Sequence, residues 1–177
     1  MNSFRGDRIV NTPAAVCPPN FKEHEFTYSC DLKRSMEKTW EYLMTPETFT
    51  RGQVWPWRVE FIDTPREDGS IASGFDVGTL NAHHGPLMNF CGVISLVEES
   101  DEVCVRHLDY GYGAYAIGFR FIRPVKLIIQ VESKGPDACH VTVTVRSHAR
   151  KSLCASWTLM QRLFWPSFKR LLRRGVR

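Results

Sequence analysis

Residues 139–174 read CHVTVTVRSHARKSLCASWTLMQRLFWPSFKRLLRR, and within them the apolar period changes from 2 to 3.6. Val141, Val143 and Val145 alternate with Thr142, Thr144 and Arg146, the pattern of a strand with one buried face. Leu153, Trp157, Met160, Phe164, Phe168 and Leu171 then recur every third or fourth position, one stripe of a long helix. Pro166 falls inside the stripe. It predicts a kink or break near Trp165, because proline withdraws a backbone donor and its ring crowds the preceding turn.

Upstream the chain is mostly strand. Phe26, Tyr28, Cys30 and Leu32 alternate with polar residues from Glu23 onward. Ser35 is a candidate N-cap for a helix whose inner face carries Met36, Trp40, Leu43 and Met44, and Pro46 ends it and opens a second short helix. Trp57, Val59 and Phe61 alternate again, and 65–69 is a turn. A short strand is expected over 75–80. The next, over 87–98, carries Met88, Phe90, Gly92, Ile94 and Leu96 on one face. Residues 103–112 form a strand that fits either facing. Ile117, Phe119 and Phe121 alternate once more, and Pro124 marks an edge or bulge before Leu127, Ile129 and Val131. The order predicts an α+β fold, with about six to seven antiparallel strands and the helices segregated to one side.

The 177 residues fit one domain, large enough to fold without disulfides or a structural metal. Residues 1–22, with Pro13, Pro18 and Pro19, read as an extended lead-in, and 23–177 as the domain. No apolar run reaches the length of a membrane span, and the first twenty residues lack the apolar core of a secretory signal. Six cysteines without a C-x-x-C pair read as reduced thiols, so a cytoplasmic protein is expected, with no cofactor and no metal. Charge is uneven. Residues 146–177 hold nine Lys/Arg and no Asp or Glu, whereas the preceding 145 carry an acidic excess of five.

Trp40-Glu41-Tyr42-Leu43 with Pro46-Glu47, Gly85-Pro86-Leu87 leading to Gly92-Val93-Ile94, and a terminal helix ending in Phe168-Lys169-Arg170-Leu171 resemble the helix-grip superfamily. That group includes START domains, birch-pollen-allergen-like proteins and polyketide cyclase/aromatases. The resemblance spans residues 23–172; Trp55-Pro56-Trp57 and the basic tail have no place in it. It implies a curved sheet gripping the C-terminal helix around a cavity for a small hydrophobic molecule, a lipid included. The aromatic-rich faces supply candidate walls in Tyr28, Trp57, Phe61, Phe90, Phe119 and Phe121, together with Trp157, Met160 and Phe164 from the helix. A solid core of the same residues is the plain alternative.

Titratable groups gather in Arg106-His107-Leu108-Asp109-Tyr110-Gly111-Tyr112. If Leu108 points inward, Arg106, Tyr110 and Tyr112 share its face and could orient a ligand; otherwise His107 and Asp109 look in. Were the protein a cyclase, Arg106, His107 or Tyr110 would polarise a carbonyl. Cross-strand pairing of Asp109 with a basic neighbour is the structural alternative. His83-His84 is expected on a solvent-facing hairpin, since neighbours on a strand cannot ligate one metal. In the tail, Arg162, Lys169, Arg170, Arg173 and Arg174 interleave with Leu163, Phe164 and Trp165. Such a helix either closes the grip or adsorbs to an anionic membrane surface. Nucleic acid is disfavoured, because the body is acidic.

Overall fold

The computed structural model describes residues 16–51, 58–85, 89–112 and 117–174, except the side chains of Tyr112, Ile117 and Arg174. In chain order the elements are β1 (Phe21–Leu32), α1 (Met36–Leu43), α2 (Glu47–Thr50), β2 (Arg58–Ile62), β3 (Thr64–Pro65), β4 (Ile71–Ala72), β5 (Leu80–His84), β6 (Phe90–Glu99), β7 (Val103–Tyr112), β8 (Ile122–Ser133), β9 (Cys139–Arg150) and α3 (Cys154–Arg174). Seven strands make one antiparallel sheet in the order β1-β9-β8-β7-β6-β5-β2, and β3 pairs with β4 separately. This is an α+β arrangement with all three helices outside the sheet ladder.

Register explains which residues look inward. Phe26, Tyr28 and Cys30 lie opposite Val145, Val143 and Val141, which in turn oppose Leu127, Ile129 and Val131 on β8. Leu108 opposes Leu127, and Arg106 opposes Ile129. Because side chains on paired positions share a face, the row from Tyr28 through Val143 and Ile129 ends on Arg106. A bulge between Ile94 and Leu96 on β6 brings Val97 opposite Arg106. Leu96 therefore leaves the face expected for it, and Val97 packs against the core instead. A further bulge sits at Pro124, where no ladder donor is needed.

The inner face carries two clusters. Under α1 and the C-terminal part of α3, Leu43, Val131, Val141, Val143 and Leu172 are fully or almost fully buried with Trp40, Trp165 and Phe168. Under α2 and the 73–79 loop, Phe75, Val77, Ile94 and Leu108 form a smaller one. Ser35 caps α1 through a 3.4 Å bond from Lys38 N. The 73–79 loop is tied to β6 by Gly78 N to Ile94 O (2.8 Å) and Ile94 N to Thr79 O (3.0 Å). At Gly74 the backbone adopts φ +58°, and an added Cβ would press Pro46 Cγ at 3.1 Å. Glycine therefore lets this loop close on the start of α2.

Three expectations change. Residues 75–79 are turns, and the strand starts at Leu80. Ile117–Arg120 is a 3-10 turn closed by Phe121 N to Gly118 O (2.9 Å), so the alternation of Phe119 and Phe121 is not that of a strand. The third concerns α3, which runs through Pro166 without a break. Trp165, Phe168 and Leu172, on both sides of the proline, are anchored in the core, and that packing outweighs one missing donor. Phe168 keeps its expected inward place, but elsewhere the buried stripe runs one residue on from the expected one. Cys154, Gln161, Trp165, Phe168 and Leu172 face the sheet, and Met160 and Phe164 do not.

Candidate functional site

Between the inner face and its α2 cover lies a cavity of about 50 Å³, lined by Phe49, Val59, Phe61, Phe75, Asn81, His83, Arg106, Leu108, Leu127 and Ile129. A water needs roughly 10–15 Å³ on this measure, so the space suits a group of a few heavy atoms. Its walls are apolar except for Asn81, His83 and Arg106.

Arg106 is only 4% exposed. Its Nη1 donates to Leu43 O at 2.7 Å and to Met44 Sδ at 3.4 Å. Leu43 ends α1, so the guanidinium sits at the negative end of that helix. The Phe75 ring lies against it, 3.7 Å from the guanidinium carbon to the centroid, and the Phe49 ring is at 5.8 Å. Phe75 is in turn held edge-on by Phe49 and Phe61, at 5.5 and 4.7 Å between centroids. Burial brings the Arg106 pKa down to about 9, an effect opposed by Tyr110, and the group stays cationic at neutral pH.

A second aromatic set adjoins it. His83 stacks on Phe90 with centroids 4.9 Å apart and planes 1° from parallel, and Tyr110 meets both edge-on at 5.7 and 5.0 Å. Gly92 makes this possible: a Cβ there would stand 2.8 Å from Tyr110 Cδ1 and Leu108 Cδ1, and 2.9 Å from the Asp109 carbonyl. Burial, and secondly His84, lower the His83 pKa to about 4, so the ring is neutral. Burial also raises the Tyr110 pKa, keeping the phenol protonated. His83 Nε2 and Asn81 Nδ2 are shut off from solvent and have no hydrogen-bond partner among the described residues.

The ambiguous strand β7 is resolved with Leu108 inward, which puts Arg106 in the cavity and Tyr110 beside it. His107, expected as an alternative acid or base, sits on the other face among Lys126, Asp109, Glu98 and Arg146. Asp109 pairs there with Lys126 at 2.9 Å. His83 is not on a solvent-facing hairpin. It lies inside strand β5, and only His84 turns outward, to Glu60 at 3.3 Å.

Of the expected walls, Phe61 lines the cavity and Phe90 backs it through His83. Tyr28 packs instead against the other cluster. Trp157 donates its indole N–H to Ser147 Oγ at 3.0 Å, Phe119 lies half-buried in the 3-10 turn, and Phe121 is exposed. Met160 and Phe164 are 59% and 63% exposed. Trp57 and the Tyr112 side chain fall outside the described residues, as does the Arg174 side chain. Phe49, Phe75, Asn81 and His83 are walls that sequence reasoning misses. The Asn81-Ala82-His83 alternation is the available signal, but two polar residues on a short strand read as a surface edge.

A sheet wrapped on one face by a long terminal helix, with two short helices after the first strand, is found in solved structures of low sequence identity. Norcoclaurine synthase from Thalictrum flavum, in complex with dopamine and hydroxybenzaldehyde, superposes with a TM-score of 0.55 at 12% identity, over 96% of this chain and 93% of that one. The fold is the helix grip. Human STARD10 matches with a TM-score of 0.55 at 12% identity, over 84% of this chain and 62% of its own. A protein from Nitrosospira multiformis matches with a TM-score of 0.50 at 11% identity, over 86% and 92%. No protein-family model matches the sequence, and no curated protein matches it.

Proposed function

We propose that this helix-grip chain binds a small, largely apolar ligand against the inner face of β2, β5, β7 and β8. The observation that carries this is the cavity under α2, whose largely apolar and aromatic lining also includes Arg106, Asn81 and His83. A solid core has no use for a guanidinium, an imidazole and an amide in one hollow, since each costs desolvation. The space takes a head group of a few atoms, so seating a larger molecule requires the α2 cover to move. Native mass spectrometry of the purified protein against its denatured mass tests the reading. A retained small molecule released on denaturation is the expected outcome; failure to retain or take up any apolar compound rejects it.

The same groups would serve a cyclase-type reaction, with cationic Arg106 polarising a carbonyl and neutral His83 accepting a proton. What favours it is the convergence of Arg106, His83 and Tyr110 within one aromatic cage. Turnover abolished in His83→Gln with ligand retention intact is its expected signature, and equal turnover in that variant rejects it.

A membrane-surface role is favoured by a separate observation on α3. Leu159, Met160, Leu163 and Phe164 are 57–72% exposed, and Arg162, Arg170 and Arg173 are exposed on the same helix. Among the described residues no helix is long and apolar enough to cross a membrane. Sedimentation with vesicles of phosphatidylcholine and phosphatidylserine tests adsorption. Leu163→Ser with Phe164→Ser is the informative variant, because removing the tail would also remove Leu172 from the core. Loss of sedimentation is expected, and unchanged sedimentation rejects the role.

A further inference from the structure

We infer that the ligand carries an acidic head, a carboxylate or an equivalent oxyanion, seated between Arg106, Asn81 and His83; this rests on the ligand-binding reading above. Three observations lead there. First, Arg106 is buried on the inner face without a carboxylate partner among the described residues. The acidic group nearest in sequence, Asp109, is spent on Lys126 across the other face. The guanidinium is only partly compensated by the Leu43 carbonyl and the Phe75 face, both neutral, and both bonds at Leu43 and Met44 use the same nitrogen, Nη1. A buried cation held by neutral groups is a costly arrangement that an anion completes.

Second, two further donors belong to residues that line the same cavity as Arg106. The amide nitrogen of Asn81 is buried without an acceptor, and so is His83 Nε2, which on a neutral ring can carry the proton. Together with the Arg106 cation they make the lining rich in donors. A carboxylate is an acceptor with two oxygens, and the planar fork of arginine matches it in two parallel bonds. An alcohol would bring an O–H of its own into this set, and a protonated amine would leave donors facing donors. Third, a cavity of about 50 Å³ accommodates a carboxylate, while Phe61, Leu108, Leu127 and Ile129 offer apolar contact to the rest of the ligand.

The test compares acids with their methyl esters on the intact protein: dodecanoate with methyl dodecanoate, and 2-naphthoate with methyl 2-naphthoate. Affinities are read by calorimetry at neutral pH. In at least one pair the acid is expected to bind about tenfold tighter or more, the scale of one charge-assisted hydrogen bond. The preference should persist at about 0.5 M salt, because a buried pair is poorly screened. Arg106→Gln should abolish it and Arg106→Lys should retain part of it. Should Arg106→Gln fail to fold, the wild-type pairs and Asn81→Leu, which should narrow the gap, still decide. Esters binding as tightly as acids overturn the acidic head and leave apolar binding standing. Binding by none of the four overturns both.

Discussion

The two halves of the inner face are built from the same strands and are put to different ends. Beneath α1 and the end of α3, the buried cluster is large and apolar, with the polar Gln161 tied to the Trp165 indole. Beneath α2 and the 73–79 loop, fewer apolar residues are buried, and a hollow remains whose lining includes Arg106, Asn81 and His83. The first half rests on a 21-residue helix and the second on four residues and a loop. The lesson is a division of labour: stability concentrates where cover is long and apolar, and polar groups are tolerated where cover is short.

Truncating the apolar half should show the largest effect. Trp165→Ala removes a core side chain whose indole N–H also bonds Gln161 Oε1. It should cost about 3–5 kcal/mol in urea denaturation, with the acid–ester preference of surviving protein unchanged. A loss below about 1 kcal/mol would mean that α3 does not anchor this half.

The hollow half should respond to pH. With its folded pKa lowered to about 4 from 6.5, His83 protonates in the unfolded chain first. Stability is therefore full above about pH 6.5 and declines as pH falls toward about 4, by on the order of 3 kcal/mol. His24, His107 and His148 are also lowered by burial and add to the slope. His83→Phe should flatten the profile of thermal midpoint against pH; an unchanged slope would assign it to the other three.

The smallest effect belongs to the outward face of α3. Phe164→Ser should shift stability by no more than about 0.5 kcal/mol, since the ring is exposed. A larger loss would show that the helix face is covered after all.

Much of this architecture is legible in the sequence. The alternation at Val141, Val143 and Val145, the Ser35 cap and the 3.6 period of α3 each follow from local rules and appear in the fold. The offset of the α3 stripe is not legible, because apolar residues occupy well over half the helix's circumference and a buried Gln161 interrupts the true stripe. Only the bond from Trp165 explains that glutamine, and such a bond is invisible to periodicity. Facing along β7 needs its neighbours' register, and the cavity needs the cover of Phe49, on a helix of four residues, and of Phe75, on a turn, neither long enough to show a period.

The pairing of β1 with β9 sets a timetable. Thr27 and Thr144, 117 residues apart, share a 3.2 Å hydrogen bond across that pair. Strands β6 to β9 are joined by successive hairpin pairings and can assemble as they leave the ribosome. Strand β1, synthesised before the other strands of its sheet, has no partner until β9, the last of them, emerges. Throughout that interval Phe26, Tyr28 and Cys30 await the far side of the sheet. Of the seven strands of this sheet, the first made is among the last to be placed.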